Sequence, residues 1–190
     1  MNKKIIYPAF VLMVLVQLYI PSRMIFHNEV VLVSGTEYKF KAAPVDPNDP
    51  FRGKYITLSF DENSFQTADT SAWEQGETIY VDLTTDSVGF AKVYNISRTE
   101  PMDRDDYIKA SVSYSVADTM TMVFIQYPFD RFYMEESKAP QAEITYNESL
   151  RDTNQVTYAV VLVKKGEAVV KDVMIDDRSI VDIVRDRNKK

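Results

Sequence analysis

Asp46 and Asp49 each stand directly before a proline in Val45-Asp46-Pro47-Asn48-Asp49-Pro50-Phe51-Arg52-Gly53-Lys54-Tyr55, and a residue before proline is pushed out of the α region. Two carboxylates are thus held on consecutive turns, the raw material of a metal site or of acid–base work. A calcium loop needs regularly spaced oxygen ligands, a central glycine and a distal glutamate, and Asp46, Asn48 and Asp49 meet that pattern only in part. The plainer reading is that these side chains cap the backbone of their own turns, so no metal is expected. Arg52 could clamp a carboxylate or phosphate with its planar fork, and Gly53 would allow close approach. An ion pair between Arg52 and Asp46 or Asp49 at the entry to a strand is the simpler expectation.

A second cluster, Tyr127-Pro128-Phe129-Asp130-Arg131-Phe132-Tyr133-Met134-Glu135-Glu136, sets carboxylates among aromatic rings. Glycoside hydrolysis uses two carboxylates flanking a bond. On a strand, Glu135 and Glu136 would point to opposite faces, so that chemistry requires Asp46 or Asp49 to meet one of them in space. The rings are expected as core or edge filler rather than as a sugar platform. The single histidine, His27, follows an apolar run and reads as interfacial. A Ser–Lys hydrolase needs a serine just past a membrane anchor and a desolvated lysine; Ser22, Ser34 and Lys54 supply the residue types without a recognisable serine box.

Composition narrows the chemistry further. The chain has 190 residues with no cysteine, which removes disulfides, thiolate nucleophiles and cysteine-based metal sites and leaves the redox compartment open. Its net charge of −6, from 22 basic and 28 acidic residues, argues against nucleic acid as a partner. No cofactor is implied by any motif.

The elements that must position these residues begin with Asn2-Lys3-Lys4 and an uncharged run from Ile5 to Ile20, in which Gln17 is the one strongly polar side chain. About 20 apolar residues cross a hydrocarbon core of about 30 Å, and Met24-Ile25-Phe26 can extend the run. A cleavable signal would end in small residues, whereas this one ends Tyr19-Ile20-Pro21-Ser22-Arg23-Met24. Residues 1–27 are therefore read as an uncleaved signal-anchor that contacts the bilayer through residues 4–26. The lysine pair stays on the cytoplasmic side and the remainder lies outside a cell membrane crossed once.

Past the anchor the apolar period is two. Ile108, Ala110, Val112, Tyr114 and Val116 alternate with Lys109, Ser111, Ser113 and Ser115, and shorter alternations run over 78–83, 90–94 and 122–127. The segments 156–163 and 168–175 flank Lys164-Lys165-Gly166-Glu167, a hairpin signal in which Gly166 takes a positive φ. Pro140 to Leu150 places Ala142, Tyr146 and Leu150 on one helical face. The fold expected is mainly β, an antiparallel sheet or a sandwich or barrel-like arrangement, with one short helix, preceded by the transmembrane helix. Residues 28–184 form the extracytoplasmic domain and 185–190 a frayed charged tail.

Gly53-Lys54-Tyr55-Ile56-Thr57-Leu58-Ser59-Phe60 resembles the motif that names the GDYXXLXY domain family. Gly53, Tyr55 and Leu58 match, while Lys54 replaces the Asp and Phe60 the last Tyr. Pro44-Val45-Asp46-Pro47 and Asp49-Pro50-Phe51-Arg52 are similar to the family's lead-in, the anchor followed by Gly35-Thr36-Glu37-Tyr38 to its layout, and Tyr133-Met134-Glu135-Glu136 to a weaker second motif. The resemblance implies membrane association and a multi-spanning membrane protein as partner rather than a chemistry. Lys54 makes a catalytic acid at that position untenable. The function expected is a membrane-anchored binding or accessory module with Asp46, Asp49, Arg52, Tyr55 and Glu135 on its contact face. Its alternative is a cell-envelope hydrolase using carboxylates or a Ser–Lys pair.

Overall fold

The structure is a computed structural model that describes residues 3–44, 55–69 and 71–187. Among the described residues an apolar helix, α1 (Lys3–Ser34), leads into eleven strands and two further helices: β1 (Thr36–Lys41), β2 (Tyr55–Thr57), β3 (Ser64–Thr67), β4 (Thr78–Thr85), β5 (Ala91–Ser97), β6 (Tyr107–Ala117), β7 (Thr121–Gln126), β8 (Arg131–Tyr133), α2 (Ala139–Arg151), β9 (Thr157–Lys164), β10 (Glu167–Ile175), β11 (Arg178–Ser179) and α3 (Ile180–Arg187). Pro21 does not interrupt α1, which runs on through His27 to Ser34 and contains both Pro8 and Pro21. The stretch Tyr7–Ser34 is long and apolar enough to cross a membrane, and its apolar window is not covered by the rest of the chain.

All strand pairs are antiparallel. They form sheets ordered β1-β9-β10-β11 and β3-β7-β6-β4-β5, with β2-β8 as a separate ribbon. Three isolated bridges, Lys39 to Phe90, Ala42 to Phe60 and Ile108 to Gly166, bring the sheets into a nearly closed, barrel-like arrangement. The hairpin expected around Gly166 is present. Lys165 (φ 48°) and Gly166 (φ 83°) form its two-residue turn, the conformation that matches strand twist. The turn also holds the two sheets together. Gly166 accepts from the Lys109 N–H at 2.8 Å and donates to the Tyr107 carbonyl at 3.0 Å, and a Cβ on Gly166 would lie 3.1 Å from the Tyr107 ring.

The alternation expected along β6 holds as far as Val112 and then fails. A bulge at Ser113 inserts one residue against β7, so Tyr114 and Val116 turn outward and Tyr114 stacks on Phe124 with ring centroids 4.1 Å apart. β9 is buried along nearly its whole length, because the barrel interior lies on one side and α1 and α2 pack against it. A strand covered on both faces reads as a continuous apolar run.

α2 lies where its i, i+4 spacing puts it, with Ala142 and Tyr146 fully buried. α3 is a correction to the frayed tail: a third helix, which runs through Arg185 and Arg187. Its cause is local. Asp176 and Asp177 adopt positive φ in a second tight turn, the Ser179 hydroxyl accepts from the Val181 N–H, and Ile180 and Val184 bury one face against α2 and β10.

α1 is tied to the domain at its last turn. Val31 is buried, Lys164 Nζ donates to Ser34 Oγ at 2.6 Å, and the Gly35 N–H donates to the Val31 carbonyl at 2.8 Å. A Cβ on Gly35 would stand 2.6 Å from that oxygen, so only glycine lets the helix turn into β1 at this point.

Gly166→Ala combines a left-handed φ with a crowded Cβ and is expected to lower stability by about 1–3 kcal/mol. Gly76→Ala, with a similar φ (82°) but nothing within 4 Å of the added carbon, should cost the strain alone, about 1–2 kcal/mol. Urea unfolding of the detergent-solubilised chain compares the two.

Candidate functional site

Ile56, Leu58 and Phe60 point inward and are buried, while Tyr55, Thr57 and Ser59 face the other way. This period of two orients the family-like motif. Leu58 is a core residue whose N–H donates to the Asp130 carbonyl at 2.8 Å, and Phe60 belongs to a knot of rings. Phe40 sits in the middle of that knot, with centroids 5.3 Å from Phe60, 5.4 Å from Tyr127 and 5.3 Å from Phe129 in edge-to-face contacts. The Tyr127 phenol donates to the Glu62 carbonyl at 2.7 Å, and burial raises its pKa well above the ordinary value. It is a structural donor, not an acid.

β2 pairs with β8, so that Tyr55 lies opposite Tyr133, Ile56 opposite Phe132 and Thr57 opposite Arg131. The ribbon's outward face carries an aromatic–cation cluster. The Tyr55 and Tyr133 rings are 5.5 Å apart, and the Arg131 guanidinium lies 4.9 Å over Tyr55 and 3.6 Å from Asp130. Tyr133 is 64% exposed, which makes it available for contact. The Arg131 pKa is raised chiefly by its hydrogen bond to Tyr133, then by Asp130. Beside the cluster runs a groove of about 550 Å³, lined by Pro128–Tyr133, by Glu167–Val170 of β10 and by Asn28 of α1. Tyrosine and arginine supply area, stacking and hydrogen bonds without a nucleophile–base pair, so the arrangement suits recognition.

Of the residues expected on a contact face, Tyr55 lies on the outward side of the β2–β8 ribbon. Asp46, Asp49 and Arg52, with Gly53 of the motif and Lys54, lie outside the described residues. Glu135 is not on a strand: β8 ends at Tyr133, and Glu135 stands in the lead-in to α2. Its carboxylate accepts from Lys138 Nζ at 2.5 Å and Ser137 Oγ at 2.9 Å, and its carbonyl accepts from the N–H groups of Lys138 and Ala139. The Lys138 hydrogen bond, then that from Ser137, lowers its pKa, which suits a helix lead-in and not a general acid. Arg131 and Tyr133, which were not among the expected residues, join Tyr55 on this face. The signal for them was the spacing Arg131-x-Tyr133 matched to Tyr55-x-Thr57, which acquires meaning only once the two strands are known to pair.

Two other constellations are structural. Ser34, the last residue of α1, and Lys164 form a Ser–Lys contact. However, the Ser34 hydroxyl donates its proton to the Val30 carbonyl at 2.7 Å, and both groups lie in solvent, not in the dry setting that a neutral lysine needs. Arg98 lies 3.7 Å over the Trp73 ring while Nε donates to Glu77 at 2.6 Å, Nη1 to Asp69 at 2.8 Å and Nη2 to the Ala72 carbonyl at 3.0 Å. Its donors are occupied in holding the segment before β4. Among the described residues, no group of three or more His, Asp or Glu side chains could hold a metal ion.

A family model described as GDYXXLXY protein matches residues 17–173, and the chain belongs to that family. Comparison with curated proteins and with solved structures returns no match.

The Arg98 clamp makes its own pH prediction. The Asp69 pKa is lowered first by the Ser71 hydroxyl and the Glu77 pKa first by Arg98. A carboxyl with a depressed folded pKa stabilises above its unfolded value and loses that contribution as pH falls through the folded one. The clamp should therefore open below the ordinary values of 3.8 and 4.5. Trp73 is the one tryptophan in the chain, so its fluorescence should show a transition in that acid range, and Arg98→Met should abolish it.

Proposed function

We propose that this GDYXXLXY family member is a membrane-anchored, extracytoplasmic binding or accessory module that engages another membrane protein through the outward face of the β2–β8 ribbon. The observation that carries this reading is the Tyr55–Arg131–Tyr133 cluster at the edge of a groove that reaches Asn28 of α1. A contact surface that begins at the anchoring helix favours a partner held in the same bilayer. Aromatic and arginine anchors are the residue types that dominate binding energy at protein interfaces.

The location rests on α1 and on charge. Tyr7–Ser34 comprises 28 residues, about 42 Å of helix, against a hydrocarbon core of about 30 Å. Lys3 and Lys4 precede it, which favours a cytoplasmic N-terminus by the positive-inside rule. A cell-envelope hydrolase has the Ser34–Lys164 contact in its favour, but that lysine is solvated and the serine proton is already directed to Val30.

Arg131→Ala and Tyr133→Ala, made separately in the full chain, are each expected to reduce recovery of a partner from detergent-solubilised membranes by about tenfold or more. The urea midpoint should move little, because both side chains are exposed. Unchanged recovery with an intact fold would sink the reading. The cysteine-free sequence gives a direct topology test: Val88→Cys, at an exposed turn, should react with a membrane-impermeant maleimide in intact cells and Asn2→Cys should not.

A further inference from the structure

We infer that α1 pairs inside the bilayer with a transmembrane helix of another membrane protein, through a polar turn at Gln17 that lies on the same side of α1 as the extracytoplasmic domain. This rests on the anchored-module reading above and adds to it the depth and chemistry of the contact. The helical rise from Lys4 to Arg23 spans about 28 Å, close to one hydrocarbon thickness, and Gln17 lies about 9 Å inside the Arg23 end. Gln17 is exposed on α1, and among the described residues its carboxamide has no hydrogen-bond partner. Four residues on, Pro21 stands inside the helix without an N–H to offer the Gln17 carbonyl. One turn therefore presents the two carboxamide N–H groups, the carboxamide oxygen and a freed backbone oxygen. Hydrocarbon offers no water to satisfy them, whereas a polar side chain on a neighbouring helix can.

The helical phase says where that neighbour stands. At 100° per residue, Asn28 falls about 20° to one side of Gln17 and Val31 about 40° to the other. Val31 is buried against the domain, and Asn28 lines the groove beside β8 and β10. Gln17 thus faces the sector of membrane beneath the domain. A second copy meeting on this face would bring a second domain into the space that the first already fills. A helix of a different protein fits beneath the domain and delivers its external chain to the groove at Asn28. Phe10, Met13 and Met24 lie within about 40° of the same line, and the methionines give an adaptable packing surface.

The test is site-specific photocrosslinking in native membranes with benzoylphenylalanine in place of Met13 or Met24, and of Leu15 or Tyr19 on the opposite side. Adducts to a different polypeptide are expected at the first two positions and not at the others. The adducted peptide, sequenced by mass spectrometry, should lie within a transmembrane segment of that polypeptide. Gln17→Leu should reduce the adduct about three- to twentyfold and Gln17→Asn should recover part of it. Equal adducts on both sides, no effect of Gln17→Leu, or adducts only to a second copy would each overturn the inference while leaving the β2–β8 reading standing. Release of the unmodified chain from membranes by carbonate would instead overturn the anchored reading on which both rest.

Discussion

The edge-to-face packing of Phe40 against Phe60, Tyr127 and Phe129 is the interaction on which the rest of the domain depends. Phe40 comes from the strand that follows α1, Phe60 ends the family motif, and Tyr127 and Phe129 lie between β7 and β8. The four rings close a small volume between three separate stretches of chain. Their inward commitment decides what is left facing out. With Ile56, Leu58 and Phe60 buried, the period of a strand sends Tyr55 outward, and pairing to β8 sets it beside Tyr133 and Arg131. A core requirement and a surface feature are thus two faces of one short ribbon.

A second constraint joins the apolar helix to the domain that carries that ribbon. The last turn of α1 is buried at Val31, capped through Ser34 and Lys164, and followed by a glycine that no larger residue can replace. A helix held this way cannot swing freely against the domain, so the azimuth of residues along α1 is tied to the direction of the groove beside its last turns. Loose linkers lose such registry through their own flexibility. Here the helix continues unbroken into the packed region.

Arg98, Lys138 and Lys164 show how charge is used around these constraints. Each is engaged locally, with the carboxylates and carbonyl before β4, with Glu135 ahead of α2, and with the end of α1. Arg131 differs because it also lies over an aromatic face and its carboxylate partner is 3.6 Å away. Exposed pairs of this kind contribute little to stability.

The apolar run of α1, the Lys165–Gly166 turn and the i, i+4 face of α2 were all legible in the sequence, because each follows from local sterics or from a period within one segment. The membership implied by Gly53, Tyr55 and Leu58 was legible for the same reason. The Ser113 bulge was not, since one inserted residue is defined only against the strand opposite it, and neither was α3, whose short amphipathic face needs α2 and β10 to bury it. Glu135 was misplaced because a strand was extended past Tyr133, where the backbone instead turns to start a helix. Arg131 and Tyr133 became candidates only through the register of β2 on β8, which joins residues more than 70 positions apart. Sequence by itself determined the strongly periodic elements and the dry side of their strands as far as local period reaches, which in β6 is Val112; tertiary structure decided where that period breaks and which outward side chains meet, because pairing across such distances depends on the whole core and not on any one stretch of it.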